Sequence, residues 1–456
     1  MDEADRLLRL LRQWLDDTGA PGVSLALDDG RTIRCFAAGT ADPATGMPVS
    51  ANIVFQFGSV TKMVTALLLI EALSDRGLDL DAPVVSVAPD LEASNDLVFH
   101  DATIRQLLNH TSGLDSQWWA DMGEGEGARR AAARAIAAQP LIARPGELFS
   151  YSNSGYVLAG YLTEVLTGKA WEDFADARIA RYLGDHSISA RAERVLMRPA
   201  AKGHATPPSK DRPALPAARW YAPAALAPGG GLAGTPEDLA RLLRVLRGRL
   251  GTDRQPVFVP TIGWRHSGWA PGIARYRLGE NVFAWGHDGT TVGQACAVRL
   301  CEGRPETVVV AANAAWTALH VGRLADEILR TVTAIAGPAD SAPPLAGYED
   351  WTMPPETDPS GRYARLNATL TVALHPSGDI LLAETYSPQD ALNWFGAKIA
   401  NTAGTAANPE RLQLYAHHSY AAAGKELHFL RHPEAPGCLY AHDGMRATPR
   451  TTRFWL

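Results

Sequence analysis

Apolar residues recur at helical spacing in the first segment, where Leu7, Leu8, Leu11 and Leu15 stripe an acidic, amphipathic helix. Pro21-Gly22 ends it. Val23, Leu25 and Leu27 then alternate, Asp29-Gly30 turns, and Ile33 and Cys35 alternate again, which predicts a β-hairpin. The period changes at Gly58-Ser59. The run KMVTALLLIEAL that follows is apolar on nearly every face and predicts a buried helix. Further helices are predicted over residues 103–108, 127–138 and 156–166, the last closed by Gly168. Residues 200–230 are proline-rich and irregular. Thr235-Pro236-Glu237-Asp238 reads as an N-cap, a first-turn proline and two acids at a helix start. Strands are predicted over 282–285 and 307–312, and a helix over 315–336.

Beyond Gly337-Pro338, a stretch to Pro344 reads as a linker, and helical periodicity fades. Leu370, Val372 and Leu374 alternate before the turn Pro376-Ser377-Gly378-Asp379, and Ile380-Leu381-Leu382 answers it. The pattern predicts a main domain over residues 1–338 and a separate antiparallel β domain, a small barrel, over 346–456.

Composition narrows the function classes. The chain has 456 residues, 46% of them hydrophobic and 20% charged, enough for a large core. Lys+Arg 43 against Asp+Glu 49 gives net −6, so a nucleic-acid partner is not expected. Cys35, Cys296, Cys301 and Cys438 are too scattered for a disulfide scaffold or a paired-cysteine zinc site. His417-His418 lacks ligand spacing, and neither metal nor cofactor is expected. The N-terminus is acidic where a secretory leader would be basic, and the apolar run over 64–70 stops at Glu71. These features predict a cytoplasmic protein with no membrane partner.

Three short motifs carry candidate chemistry. In Phe57-Gly58-Ser59-Val60-Thr61-Lys62, an i,i+3 spacing puts Ser59 and Lys62 on one helix face. A serine hydroxyl is a weak nucleophile until a base takes its proton, and a lysine becomes that base when burial lowers its pKa. The bland alternative is that Ser59 only caps the helix. Tyr151-Ser152-Asn153 follows a Pro145-Gly146 break and offers a phenol to relay a proton and an amide to hold a carbonyl; taken alone, a turn with a partly buried tyrosine is the favoured reading. Gly286-His287-Asp288-Gly289-Thr290 follows the strand at 282–285, and Asp288-Gly289 alone would be a hairpin turn. Gly229, Gly231 and Gly234 form a formal dinucleotide fingerprint, but Pro223 and Pro228 stand where a strand should precede it. Phe57 in place of glycine argues against a nucleophile elbow. Trp118-Trp119 are candidates for an apolar substrate wall and, equally, for tryptophans packed on the surface.

In this order the three motifs resemble the active-site set of the serine β-lactamase and penicillin-binding-protein superfamily. The segment from Leu107 to Leu114, containing His110-Thr111-Ser112-Gly113, is similar to a family landmark, as are Pro145-Gly146 through Tyr156 and Gly229-Gly230-Gly231-Leu232. The resemblance covers roughly residues 5–335. It implies an α+β fold, with an antiparallel sheet flanked by helices, an all-α lobe, and a lipocalin-like C-terminal barrel. It implies Ser59 as acylated nucleophile, with Lys62 and Tyr151 sharing acid and base work. Asn153, His287 and Gly289 would position substrate, and the N–H groups of Ser59 and Thr290 would form the oxyanion hole. His287 stands where β-lactamases and transpeptidases usually carry lysine, which demotes β-lactam hydrolysis. The His-x-Gly form is similar to D-aminopeptidases, D-amino-acid amidases, related esterases and penicillin-binding-protein-type thioesterases. The single barrel and the absent leader point to the thioesterases, which offload and macrocyclise a nonribosomal peptide and are D-residue selective. A carrier protein of a peptide synthetase is then the expected partner. A D-aminopeptidase or amidase, a carboxylesterase, and a binding module without catalysis remain as alternatives.

Overall fold

The computed structural model describes residues 2–94, 102–115, 122–123, 125, 127–209, 212–221, 223–249, 258–262, 266–336, 348–351, 353, 357–365, 368–386, 410–416, 419–422, 425–435 and 438–450. Two eight-stranded sheets organise them. The first runs, edge to edge, Met47–Pro48, Ile33–Asp42, Gly22–Asp28, Thr307–Ala312, Ala295–Cys301, Phe283–Thr290, Ile273–Arg277 and Gly268–Ala270, every neighbour antiparallel. The expected hairpin is its Gly22–Asp28 and Ile33–Asp42 pair, with Leu25 opposite Phe36. Three adjacent strands, Gly22–Asp28, Thr307–Ala312 and Ala295–Cys301, are buried along their whole length because helices cover both faces. On one face, Leu7 and Leu11 of the first helix and Val321 and Ile328 of Ala318–Thr333 pack on Val308 and Val310. Helices Thr61–Ser74, Trp171–Leu183 and Pro236–Leu246 cover the other.

Helix Thr61–Ser74 explains its all-round apolar sequence by standing between two cores. Met63, Val64 and Leu67 face the sheet, while Ala66, Leu69 and Leu73 face an all-α lobe built with Ile104–Leu108, Ala128–Ala137 and Ser154–Thr167. The expected N-cap at Thr235 forms, its side chain accepting from Asp238 N. Among the described residues no helix is long and apolar enough to cross a membrane.

Several expectations change. The strand predicted over 282–285 continues to Thr290, so the third motif lies inside the sheet and not in a turn. Its partner Ala295–Cys301 and the hairpin Gly268–Ala270 and Ile273–Arg277 are additional strands. The irregular stretch 200–230 contains the paired strands His204–Thr206 and Leu215–Pro216 and a short helix, Ala227–Gly230. The linker from Gly337 to Pro344, Trp118-Trp119 and His417-His418 lie outside the described residues.

The C-terminal sheet is an eight-stranded meander from Gly361–Arg365 to Ala447–Pro449, each strand pairing with the next. Tyr363, Leu370, Val372, Ile380 and Phe429 form its apolar core, whereas Leu374, expected on the same face, is exposed. Among the described residues its first strand meets the end of its last at one bridge, Tyr363 with Arg450. A closed lipocalin-like barrel is therefore not shown.

Candidate active site

The site forms where the start of helix Thr61–Ser74, the loop before Ser154–Thr167 and strand Phe283–Thr290 converge. A short turn, Gly58–Val60, leads into the helix and holds Ser59 at its mouth. Lys62, fully buried, donates to Ser59 Oγ at 3.0 Å and to Gly229 O at 2.6 Å. Burial first, and then the charge of Arg446, holds its ammonium well below the usual lysine range. A neutral amine beside a serine hydroxyl can accept that hydroxyl's proton.

Tyr151 closes the other side. It is buried and hydrogen-bonded to Ser59, and its ring lies 5.2 Å from Lys62 Nζ. Burial raises its phenol pKa, while the bond to Ser59 and the charge of Arg446 oppose the rise. The group is thus kept as a phenol, able to donate. Asn153 is the N-cap of Ser154–Thr167; it lines the cleft, and its carbonyl accepts from Tyr156 and Val157.

Strand Phe283–Thr290 crosses against the turn at Ser59. A Cβ on Gly289 would overlap the Phe57 carbonyl and stand 2.8 Å from Ser59 N. A Cβ on Gly58, at φ +54°, would stand 2.7 Å from Thr290 N. Glycine at both positions is what lets the two backbones touch, and it brings the N–H groups of Ser59 and Thr290 to one crossing. His287 is buried beside them, its ring 5.9 Å from that of Tyr151. Burial, and then the Lys62 charge, pushes its imidazole pKa down to about 3. It is neutral at pH 7, unlike a lysine in its place.

All seven residues singled out in the sequence, Ser59, Lys62, Tyr151, Asn153, His287, Gly289 and Thr290, therefore gather at one place. Ser59, Tyr151, Asn153, His287 and Thr290 line one cleft of about 1290 Å³. Other members came without a strong local signal. Gly229, whose carbonyl holds Lys62, stands in the sequence as part of a glycine-rich landmark and of the formal fingerprint, with nothing that marks it as a lysine partner; Thr65 Oγ1 donates to Pro228 O at 2.7 Å and pins that segment to the helix. His110 stacks on Tyr151 at 4.4 Å and Nδ1 accepts from Ser152 N at 3.0 Å. Trp269 packs on His110 and His287 at 5.0 and 5.3 Å. Met445 and Arg446 reach the cleft from the C-terminal sheet. Met445 O accepts from Tyr151 N at 2.7 Å, and the Arg446 guanidinium lies 5.2 Å from the Tyr151 ring. No pattern in the sequence marks Arg446, because its neighbours here are about 300 residues away in the chain.

Known proteins share the sequence and the fold that surround this site. The chain is 29% identical over 341 residues to penicillin-binding protein 4 of Amycolatopsis lactamdurans, covering 71% of this chain and 89% of that one. It superposes on the crystal structure of SurE with D-Leu at a TM-score of 0.70 and 26% identity, covering 98% of this chain and 99% of that chain. A D-amino acid amidase from Ochrobactrum anthropi SV3 shares the fold at a TM-score of 0.61 and 23% identity, covering 73% of this chain and 99% of that one. Residues 7–333 match the family model described as Beta-lactamase. With the Ser59 turn, the buried lysine and the antiparallel sheet arranged around one cleft, the chain belongs to the beta-lactamase family of serine hydrolases.

Proposed function

We propose that this chain is a penicillin-binding-protein-type thioesterase that releases and macrocyclises a peptide, with selectivity for a D-residue at the acylated position. The supporting observation is the likeness to SurE, which spans 98% of this chain and so includes the C-terminal sheet that brings Arg446 to Tyr151; that structure holds D-Leu. In this reading Ser59 Oγ attacks the thioester carbonyl as Lys62 takes its proton. The new C–O bond forms, the C–S bond breaks, and the thiol leaves with a proton relayed through Tyr151. The peptide's own amine then attacks the acyl carbon, the C–N bond replaces the C–O bond, and Ser59 Oγ is reprotonated. Ser59 N–H and Thr290 N–H stabilise the oxyanion of both steps, and Asn153 and Gly289 guide the acyl group. A cleft of about 1290 Å³ has room for a folded-back peptide, the geometry cyclisation needs. A carrier protein would present the thioester, and the C-terminal meander would be a lipocalin-like barrel bordering the cleft.

The test is mass spectrometry of products from a linear peptidyl thioester with a free N-terminal amine, with a D- or an L-residue at its C-terminus. The expected product is lighter than the substrate by the thiol alone, forms from the D-terminated substrate, and is absent with Ser59→Ala. A product that also gains water would assign hydrolysis instead, and D-amino-acid amides and esters would be the next substrates.

A further inference from the structure

We infer that His287 Nε2 is the hydrogen-bond acceptor for an N–H of the incoming nucleophile, so that the third motif selects an amine where a lysine would select an anion. This rests on the acyl-transfer reading of Ser59 and adds what the second half of that reaction recognises.

The inference follows from where the imidazole proton must be. His287 Nδ1 lies 2.6 Å from the carbonyl oxygen of Asp288. A carbonyl only accepts, so Nδ1 carries the proton and donates it. In the neutral ring Nε2 then holds a lone pair. That atom is buried and has no hydrogen-bond partner among the described residues. Its residue lines the cleft with Ser59 and Tyr151. A buried acceptor is left unpaired at a cost, which a ligand that brings a donor removes.

The surroundings fix this polarity. His110, across Tyr151, has the opposite one: its Nδ1 accepts from Ser152 N, so its proton is on Nε2. Asp288, whose carbonyl orients His287, is itself anchored by the fully buried Arg299, with Nη1 2.7 Å from Asp288 Oδ1 and Nε 2.6 Å from Asp326 Oδ1. Burial beside Lys62 disfavours a second proton on the ring. The ring therefore meets a substrate as an acceptor. A carboxylate placed against Nε2 finds no donor on the ring, whereas a primary amine offers two N–H groups. As its nitrogen bonds to the acyl carbon and the C–Oγ bond breaks, one proton passes through Tyr151 and Lys62 to Ser59 Oγ. The other stays on nitrogen, hydrogen-bonded to Nε2, and becomes the N–H of the product amide.

The experiment uses the full chain, the N-acetylcysteamine thioester of N-acetyl-D-leucine, and glycinamide competing with water. Thiol release reports acylation, and the ratio of amide to acid reports the choice of nucleophile. With His287→Lys, the amide-to-acid ratio among the products that form is expected to fall by roughly tenfold or more, the loss expected for one buried hydrogen bond, whatever the variant does to the rate of thiol release. With His287→Gln, whose side-chain oxygen can accept, the ratio should stay within a few-fold of the wild type. An unchanged ratio in His287→Lys overturns the inference. Nitrogen-15 NMR of the wild-type histidines decides the tautomer without any variant: a proton on Nδ1 of His287 supports the inference, and one on Nε2 overturns it. Failure of the wild type to release thiol counts against the acyl-transfer reading itself, and the NMR result still stands.

Discussion

Lys62 can serve Ser59 as a base only if it is neutral, and two different forces favour the neutral form. Desolvation acts on any buried ammonium, but the second force, the Arg446 guanidinium, is one side chain and can be removed. A nearby positive charge disfavours a second one, so deleting it raises the Lys62 pKa. At a given pH more Lys62 is then protonated, and the acid limb of kcat/KM for acylation moves to higher pH. We expect that upward shift in Arg446→Gln, measured as thiol release across pH; a limb that stays in place or moves down would show that Lys62 does not feel this charge. Lys62→Arg is expected to lower kcat by about a hundredfold to ten-thousandfold, since a guanidinium stays protonated and general-base catalysis is lost. Retention of wild-type kcat there would remove Lys62 from the proton path.

Strand Phe283–Thr290 and the turn Gly58–Val60 meet at two glycines, and the distance between their backbones depends on both. Gly289→Ala adds a Cβ that only a shift of the strand can accommodate. Moving Thr290 N–H from the oxyanion is expected to lower kcat on the order of a hundredfold, while stability falls by only about 1–3 kcal/mol. A loss of melting temperature with kcat intact would mean that the crossing is a packing feature alone. The same elements show what could be read in advance. Ser59 with Lys62, and Tyr151 with Asn153, are legible because each pair lies within one turn of chain, where spacing fixes geometry. The His287-to-Thr290 segment was legible as chemistry but not as structure. Asp288-Gly289 has turn composition, but the pairing of Asp288, Gly289 and Thr290 with Ala297, Cys296 and Ala295, together with the anchor at Arg299, holds it in a sheet. Strand Ala295–Cys301 lacks alternation because both its faces are buried, and Arg299 in its middle hides it further. Gly229 and Arg446 depend on contacts distant in sequence, which no local pattern encodes.

The C-terminal sheet belongs to the site through a seam of hydrogen bonds onto residues 142–151. Tyr440 OH donates to Ile142 O at 2.9 Å, His442 Nε2 donates to Phe149 O at 2.8 Å, and Ala447 N donates to Ser150 Oγ at 3.1 Å. Tyr151 comes next in the chain, so the seam positions it as well as the turn that carries Met445 and Arg446. His442 ties the two together, because its Nδ1 accepts from Gly444 N at 3.1 Å while Nε2 donates across the seam. The bond from Gly444 N needs the lone pair of the neutral ring, and burial pushes the His442 pKa down to about 4. An unfolded chain takes up this proton near pH 6.5, the folded one only near 4, so the unfolded state binds more protons between those values. The stability His442 contributes is therefore present above about pH 6.5 and is lost as pH falls toward 4. His287 and His110 carry pKa values lowered in the same direction and steepen the same slope. His442→Ala leaves Phe149 O and Gly444 N without these partners, a cost of about 1–3 kcal/mol, and it should also flatten the fall of melting temperature between pH 6.5 and 4. Because the seam leads into Tyr151, acylation at neutral pH should slow in the same variant. If the slope stays as steep as in the wild type, His442 is not a main source of the acid sensitivity; if acylation is unaffected, the C-terminal sheet does not hold Tyr151 in place.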